Sequence, residues 1–211
     1  QIIIERQKAP FESMEDLVDR IPIGLEQLLI LIKIGAFNFG KVAKKKLVWR
    51  AHFLLGNKKK KAPSPELFKV RKHKFEIPQL THTEIDDALD EMELLGFPLC
   101  SPFKLIKTPP KKGILADEMK ANLGKQVTMI GYVVTVKPTH TIHKELMNFG
   151  CFLDEAGKFF DTVHFPPQLK QYPFRGSGCY LVKGKVVEEF EFPSLEVTYM
   201  EKLPFVSKED L

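Results

Sequence analysis

The chain has 211 residues, 44% of them apolar and 28% charged, which suits one large or two small globular domains. Its formal charge of +5 hides a division: residues 1 to 80 hold 17 Lys+Arg against 8 Asp+Glu, while residues 81 to 211 hold 15 against 19, so the N-terminal part is the one that invites a polyanion. No run approaches the roughly 18 to 20 apolar residues of a membrane span, no signal-peptide pattern opens the chain, and Cys100, Cys151 and Cys179 form neither an even set nor a Cys-x-x-Cys pair, so a cytoplasmic protein with free thiols, no metal and no cofactor is expected.

The chain opens with Gln1 and the apolar run Ile2 to Ile4, which reads as a segment cut from a longer protein inside an element. From Phe11 to about Leu55 the pattern is helical. Ser13, followed by Glu15 and Asp16, is a hydroxyl cap with acidic residues at a helix start, and that helix should run to Arg20. Pro22 suits the first turn of the next helix, where Leu25, Leu28, Leu29 and Ile32 recur at helical spacing. Ile30, Leu31 and Ile34 fill its other faces, which predicts a helix buried on most sides. Gly35 ends it, and a fourth helix from Gly40 to about Leu55 carries Lys41, Lys44, Lys45, Lys46 and Arg50.

Residues 56 to 112 read as a basic, proline-containing connector with one acidic helix inside it, from Thr83 to about Leu95. The carboxylates Asp86, Asp87, Asp90 and Glu91 are expected on a solvated face of that helix. From residue 113 to about 205 the period changes to two. Val127, Met129, Gly131 and Val133 alternate with Thr128, Ile130, Tyr132 and Val134, and four further apolar runs follow near 146–153, 159–165, 179–187 and 195–203. Asp154 to Gly157 is a hairpin turn, and Pro166 to Tyr172 leaves room for one helical turn between the third and fourth strands. Five strands in this order predict an OB barrel; an immunoglobulin-like sandwich would want about seven. The fold class is thus α+β multidomain, with an all-α N-terminal domain over residues 1 to 55 and an all-β barrel.

Two turns of the helical part repeat one device. Lys8-Ala9-Pro10-Phe11 and Ile34-Gly35-Ala36-Phe37 each set a small residue two places before a Phe, between one helix end and the next helix start. Backbone amides at such turns can face a phosphate, with Lys8, Lys33, Lys41, Lys44 and Lys45 adding cations; a plain helix connection is the bland alternative. In the barrel, Met147 to Asp154 is the stretch across which a single strand would lie. Parity leaves the inward set open, and Phe149 is placed outward because Gly150 and Phe152 suit a narrow interior, with Tyr132, Lys137 and Lys144 completing the candidate face.

Several segments resemble one family. Ile4 to Leu17, with its Arg6, Pro10, Phe11, Ser13 and Asp16, and Leu31 to Asn38, with Gly35-Ala36-Phe37, resemble segments of bacterial DNA polymerase III alpha subunits, as do Glu93 to Phe103, Met147 to Gly157 and Phe165-Pro166. The resemblance implies a tandem helix-hairpin-helix domain holding duplex DNA, then an OB domain near the single-stranded template. It also implies that the polymerising carboxylates of this nucleotidyltransferase lie in a palm domain outside the segment, so no catalytic residue is assigned here. Its other implied partners are the remaining polymerase domains, the replisome subunits and a sliding clamp, the last through Leu67-Phe68, which keeps the end of a Gln-x-x-Leu-Phe motif and loses its Gln. Ala9 stands where the family has Gly, Asn38 where it has Asp, and no His precedes Pro102. A stand-alone nucleic-acid-binding accessory or repair protein with the same modules is the alternative. A hydrolytic enzyme has only scattered histidines behind it.

Overall fold

The computed structural model describes residues 1–40, 42–56, 83–111, 113–189, 191–207 and 210. The chain divides into two compact units, Gln1–Leu95 and Gly96–Leu211. Among the described residues no helix is long and apolar enough to cross a membrane.

The first unit holds α1 (Ile2–Lys8), α2 (Met14–Arg20), α3 (Leu25–Lys33), α4 (Lys44–Leu55) and α5 (Glu84–Leu95). The Ser13 hydroxyl caps α2 by accepting the Asp16 amide at 3.1 Å. Helix α3 starts three residues later than Pro22 suggests. Ile21, the residue before that proline, is driven into the extended region and buried, and Gly24 becomes the N-cap, its amide donating to the Gln27 side-chain oxygen at 3.2 Å. At the other end Gly35 takes φ +77°, its amide bonds Ile32 O, and the Ala36 amide reaches back to Leu31 O, a Schellman cap. A short 3-10 turn, Asn38–Gly40, then separates α3 from α4, so the fourth helix begins at Lys44 rather than Gly40. Met14, Leu17, Ile21, Leu28, Ile32, Phe37, Leu47 and Ala51 form the core. Only Leu28 and Ile32 of α3 are buried, while Ile30 is exposed, so the expectation of a helix buried on most sides fails: packing against α4 and α5 leaves one face of it open.

Helix α5 corrects a second expectation. Asp86, Asp87, Asp90 and Glu91 do not face solvent; they recur as one stripe turned onto α3 and α4. Lys45 meets Asp86 at 3.1 Å, Lys44 lies 3.0 Å from Asp87 and 3.3 Å from Glu91, and Lys33 lies 3.6 Å from Asp90. The acidic helix therefore packs as the counter-charge of the basic ones, within the first unit and not as part of a connector.

The second unit is a closed five-stranded barrel, OB-like in strand order and in its inserted helix: β1 (Gln126–His140), β2 (Leu146–Leu153), β3 (Phe159–His164), α6 (Pro166–Gln171), β4 (Cys179–Glu189) and β5 (Phe192–Lys202), joined as β1-β2-β3-β5-β4. β1 serves two neighbours. Its first half pairs with β4 from Gln126 to Tyr132, its second half with β2 from Tyr132 to His140, and a bulge between Val133 and Thr135 turns it from one to the other. Met129, Val133, Phe152, Phe160, Tyr180, Val182, Val186, Leu195, Val197 and Met200 fill the interior with Met119. The one interior phenol is satisfied: Tyr180 accepts the Arg175 amide at 2.8 Å and donates to Gly176 O at 2.6 Å. Gly131 is glycine for lack of room, since a Cβ there would stand 2.7 Å from the Phe160 ring and 2.8 Å from Phe152.

Candidate nucleic-acid interface

The β2–β3 hairpin positions the candidate face. Asp154, 1% exposed, organises its turn: one carboxylate oxygen accepts the amides of Ala156 at 2.9 Å and Lys158 at 2.8 Å, the other accepts Ala116 at 2.9 Å, and Gly157 supplies the left-handed residue. With the turn set, parity follows. Gly150 and Phe152 point inward, with Phe160, Thr162 and His164 from β3, which sends Phe149 and Cys151 outward beside Phe159, Asp161 and Val163.

Phe149 is 43% exposed and lies directly across the ladder from Lys137 on β1, so a flat ring and a cation stand side by side on the outer wall. Lys144 is in the tight loop that joins β1 to β2. There the Thr141 hydroxyl accepts the amides of His143 and Glu145, and Lys144 takes φ +60°. Phe159, absent from the sequence-based set, is the second open ring of this wall; it sits four positions along the ladder from Phe149, roughly 13 Å at strand rise. Extending the β2 parity across the hairpin identifies it. Between the rings, burial first and the neighbouring Asp161 second push the Cys151 thiol up to about 11, so it stays protonated, while Asp161 adds one negative charge to the wall.

Tyr132 does not belong to this face. Its ring leaves the barrel on the outer side, as alternation with Met129, Gly131 and Val133 requires, but that part of the wall is covered. Ile106, Cys179, Leu181 and Leu203 pack on it, held by the Lys107 amide on Pro204 O and the Val206 amide on Leu105 O, both 2.8 Å. Tyr132 is left 9% exposed, so the expectation that it offers a ring to a base is corrected. Burial pushes its phenol up, and pushes the neighbouring Cys179 thiol up to about 12.

The two inter-helix turns border one recess of about 470 Å³ lined by Ile2, Arg6, Pro10, Phe11, Phe37 and Phe39 among others. Phe37 is buried and Phe11 packs against the same core, each pegging its turn. The turn amides, however, are already used. Ala9 N donates to Glu5 O at 3.2 Å, Gly35 N to Ile32 O at 3.0 Å and Ala36 N to Leu31 O at 2.9 Å, so the amide grip on phosphate expected at these residues is corrected. Ala9 is extended (φ −157°, ψ 143°), a conformation that needs no glycine. What sequence reasoning missed is Arg20. Its guanidinium lies 4.5 Å over the Phe11 ring, donates to Ala9 O at 2.9 Å and to Glu5 O, and pairs with Asp16 at 3.2 Å, so the first turn is built around a cation of its own.

The lysines proposed for phosphate are partnered as well. Lys8 pairs with Glu5 at 2.6 Å, and Lys33, Lys44 and Lys45 meet the α5 carboxylates; Lys44 also donates to Lys33 O at 3.0 Å. At Asp86, burial pulls the carboxyl up, but the Thr83 amide, Lys45 and the Thr83 hydroxyl together hold it below the usual carboxylate range. Lys41, Leu67 and Phe68 lie outside the described residues.

No protein-family model and no curated protein matches the chain. Eleven solved chains do. One is a proposed nucleic acid-binding lipoprotein of Klebsiella pneumoniae subsp. pneumoniae MGH 78578, 15% identical with a TM-score of 0.33, the match covering 42% of this chain and 78% of that one. Another is the dimeric N-terminal domain of PriB from Thermoanaerobacter tencongensis, 10% identical with a TM-score of 0.30, covering 37% of this chain and 96% of that one.

Proposed function

We propose that the chain binds nucleic acid, with an unpaired strand lying across the outer wall of β1, β2 and β3. The observation that carries this is the outward Phe149 in register with Lys137. Stacking is tolerant of sequence because every base has a flat face, and a cation beside the ring meets the phosphate that each base brings with it. Phe159 continues the platform, and Lys144 adds a cation at the loop.

The finer reading is a non-catalytic, DNA-holding portion of a bacterial replicative DNA polymerase III alpha subunit, with duplex DNA on the helical unit and template on the barrel. Its support is the ordered set of resembling segments; the helical unit's own turns add no amide site to it. Contact with a sliding clamp through Leu67 and Phe68 belongs to the same reading, and clamp capture that survives changing both residues to Ala would remove it.

The test is a titration of labelled single-stranded, primed and duplex oligonucleotides at two salt concentrations. Phe149→Ala should weaken single-strand binding by about 1 to 3 kcal/mol while the barrel's thermal transition stays in place. Equal binding by wild type, Phe149→Ala and Lys137→Glu would overturn the assignment.

A further inference from the structure

The outward face of α4 is a site that the barrel reading does not use. Its buried side is set by Leu47 and Ala51, and opposite them Lys46, Trp49, Arg50 and Phe53 recur at helical spacing as one stripe. Trp49 and Phe53 are 47% and 48% exposed, their rings 6.1 Å apart and tilted by 32°. The helix contains no acidic residue, and among the described residues the one carboxylate paired with the stripe, Glu15, is 3.9 Å from Arg50, both side chains being well exposed. Lys46 has no ion pair among the described residues, whereas Lys44 and Lys45 of the same helix are taken up by α5. Inward cations of α4 are therefore neutralised inside the unit, and outward ones are presented beside the exposed Trp49 ring.

We infer that the Lys46–Trp49–Arg50 face of this stripe stacks an unpaired base of a nucleic acid strand on Trp49, its cations taking the flanking phosphates. Ligand chemistry follows from the alternation. An occupant must offer a flat face to Trp49 and negative charge to Lys46 and Arg50, within the roughly 6 Å that these three residues span along the axis. A single strand does so at every nucleotide. The apolar face of α1, Ile2 to Ile4, has no such mixture and makes no comparable site. This inference rests on the chain's being a nucleic-acid binder, but it concerns a surface distinct from the barrel wall.

Trp49 is the only tryptophan in the chain, so its emission reports on the stripe directly. The probe is oligodeoxythymidylate titrated into the whole 211-residue protein, with fluorescence of Trp49 and anisotropy of end-labelled oligonucleotide followed in parallel. The expected result is saturable quenching of Trp49, binding weakened about 5- to 150-fold by Trp49→Ala (the equivalent of 1 to 3 kcal/mol), and near-wild-type binding by Trp49→Phe, which keeps a ring. Lys46→Glu with Arg50→Glu should also weaken binding, and the helical far-ultraviolet signal checks that each variant is folded. Binding that is lost in Phe149→Ala yet unchanged in Trp49→Ala, with Trp49 unquenched, overturns the stripe and leaves the barrel assignment standing. No binding at low salt by any form overturns both. A blue shift of Trp49 on phosphatidylserine vesicles without quenching by the oligonucleotide assigns the stripe to an anionic membrane surface and overturns the proposal.

Discussion

His164 is enclosed at one end of the barrel, 0% exposed, its Nε2 2.9 Å from the Thr162 hydroxyl and its ring 4.6 Å from Phe174. Burial holds its pKa down at about 4, against an ordinary 6.5. Between those values the unfolded chain binds a proton that the folded barrel refuses, so the contribution is complete above about pH 6.5 and is lost as pH falls toward 4; full desolvation would make it roughly 3 kcal/mol. Urea midpoints of wild type and His164→Gln, taken across that range, should converge as the pH drops, and parallel curves would contradict the assignment. Asp154 makes a second single-residue prediction. Its carboxylate holds three amides, so Asp154→Ala strands them and should cost about 2 to 4 kcal/mol in chemical denaturation. Gly131→Ala should cost about 1 to 3 kcal/mol by the same measurement, because the added methyl meets the Phe160 ring and the Phe152 Cβ, and those two rings are already stacked 5.5 Å apart.

At the scale of elements, the seam between α5 and the basic helices is where charge carries structure. The Lys44 side chain is 12% exposed and that of Glu91 9%, so removing the cation leaves carboxylates in a poorly solvated place. Lys44→Met should lower the unfolding free energy of the helical unit by roughly 3 kcal/mol, and Lys44→Met with Glu91→Leu should recover part of it. The strands were legible in the sequence because a period of two, interrupted by Asp154 to Gly157 and by Pro166-Pro167, leaves little freedom in where they begin and end. The seam was not. Asp86, Asp87, Asp90 and Glu91 have the pattern of a solvated face, and only the positions of Lys33, Lys44 and Lys45 on other helices turn that face inward. Tyr132 misled for a similar reason: alternation places a ring outside the barrel, yet which part of the outside is open depends on chain segments remote from it, here Ile106 and Leu203. Phe149 was decided by its glycine neighbour, a local clue.

For the molecule as a whole, the +5 formal charge is a poor guide to where a polyanion would rest. Among its described residues most of the helical unit's cations are matched within it, so at a strand bound to the barrel salt should act through the cations of the barrel wall. With a single strand on the barrel, the slope of log affinity against log salt should fall by about 0.7 when Lys137 is changed to Ala, and Lys33→Ala should leave it unaltered. A Lys33 variant with the larger effect would move the interface back to the helical turns.

Parallel pairing of Asp161–Val163 with Ser194–Glu196 joins the first and last parts of the barrel and closes the ring. Around the closed part of the wall no strand is left as a border, so a guest chain has no edge there on which to lie as one more strand. What that part recognises is caught by side chains standing out from the wall or by the loops at its rims, and exchanging those changes its choice of ligand without disturbing the ladder beneath.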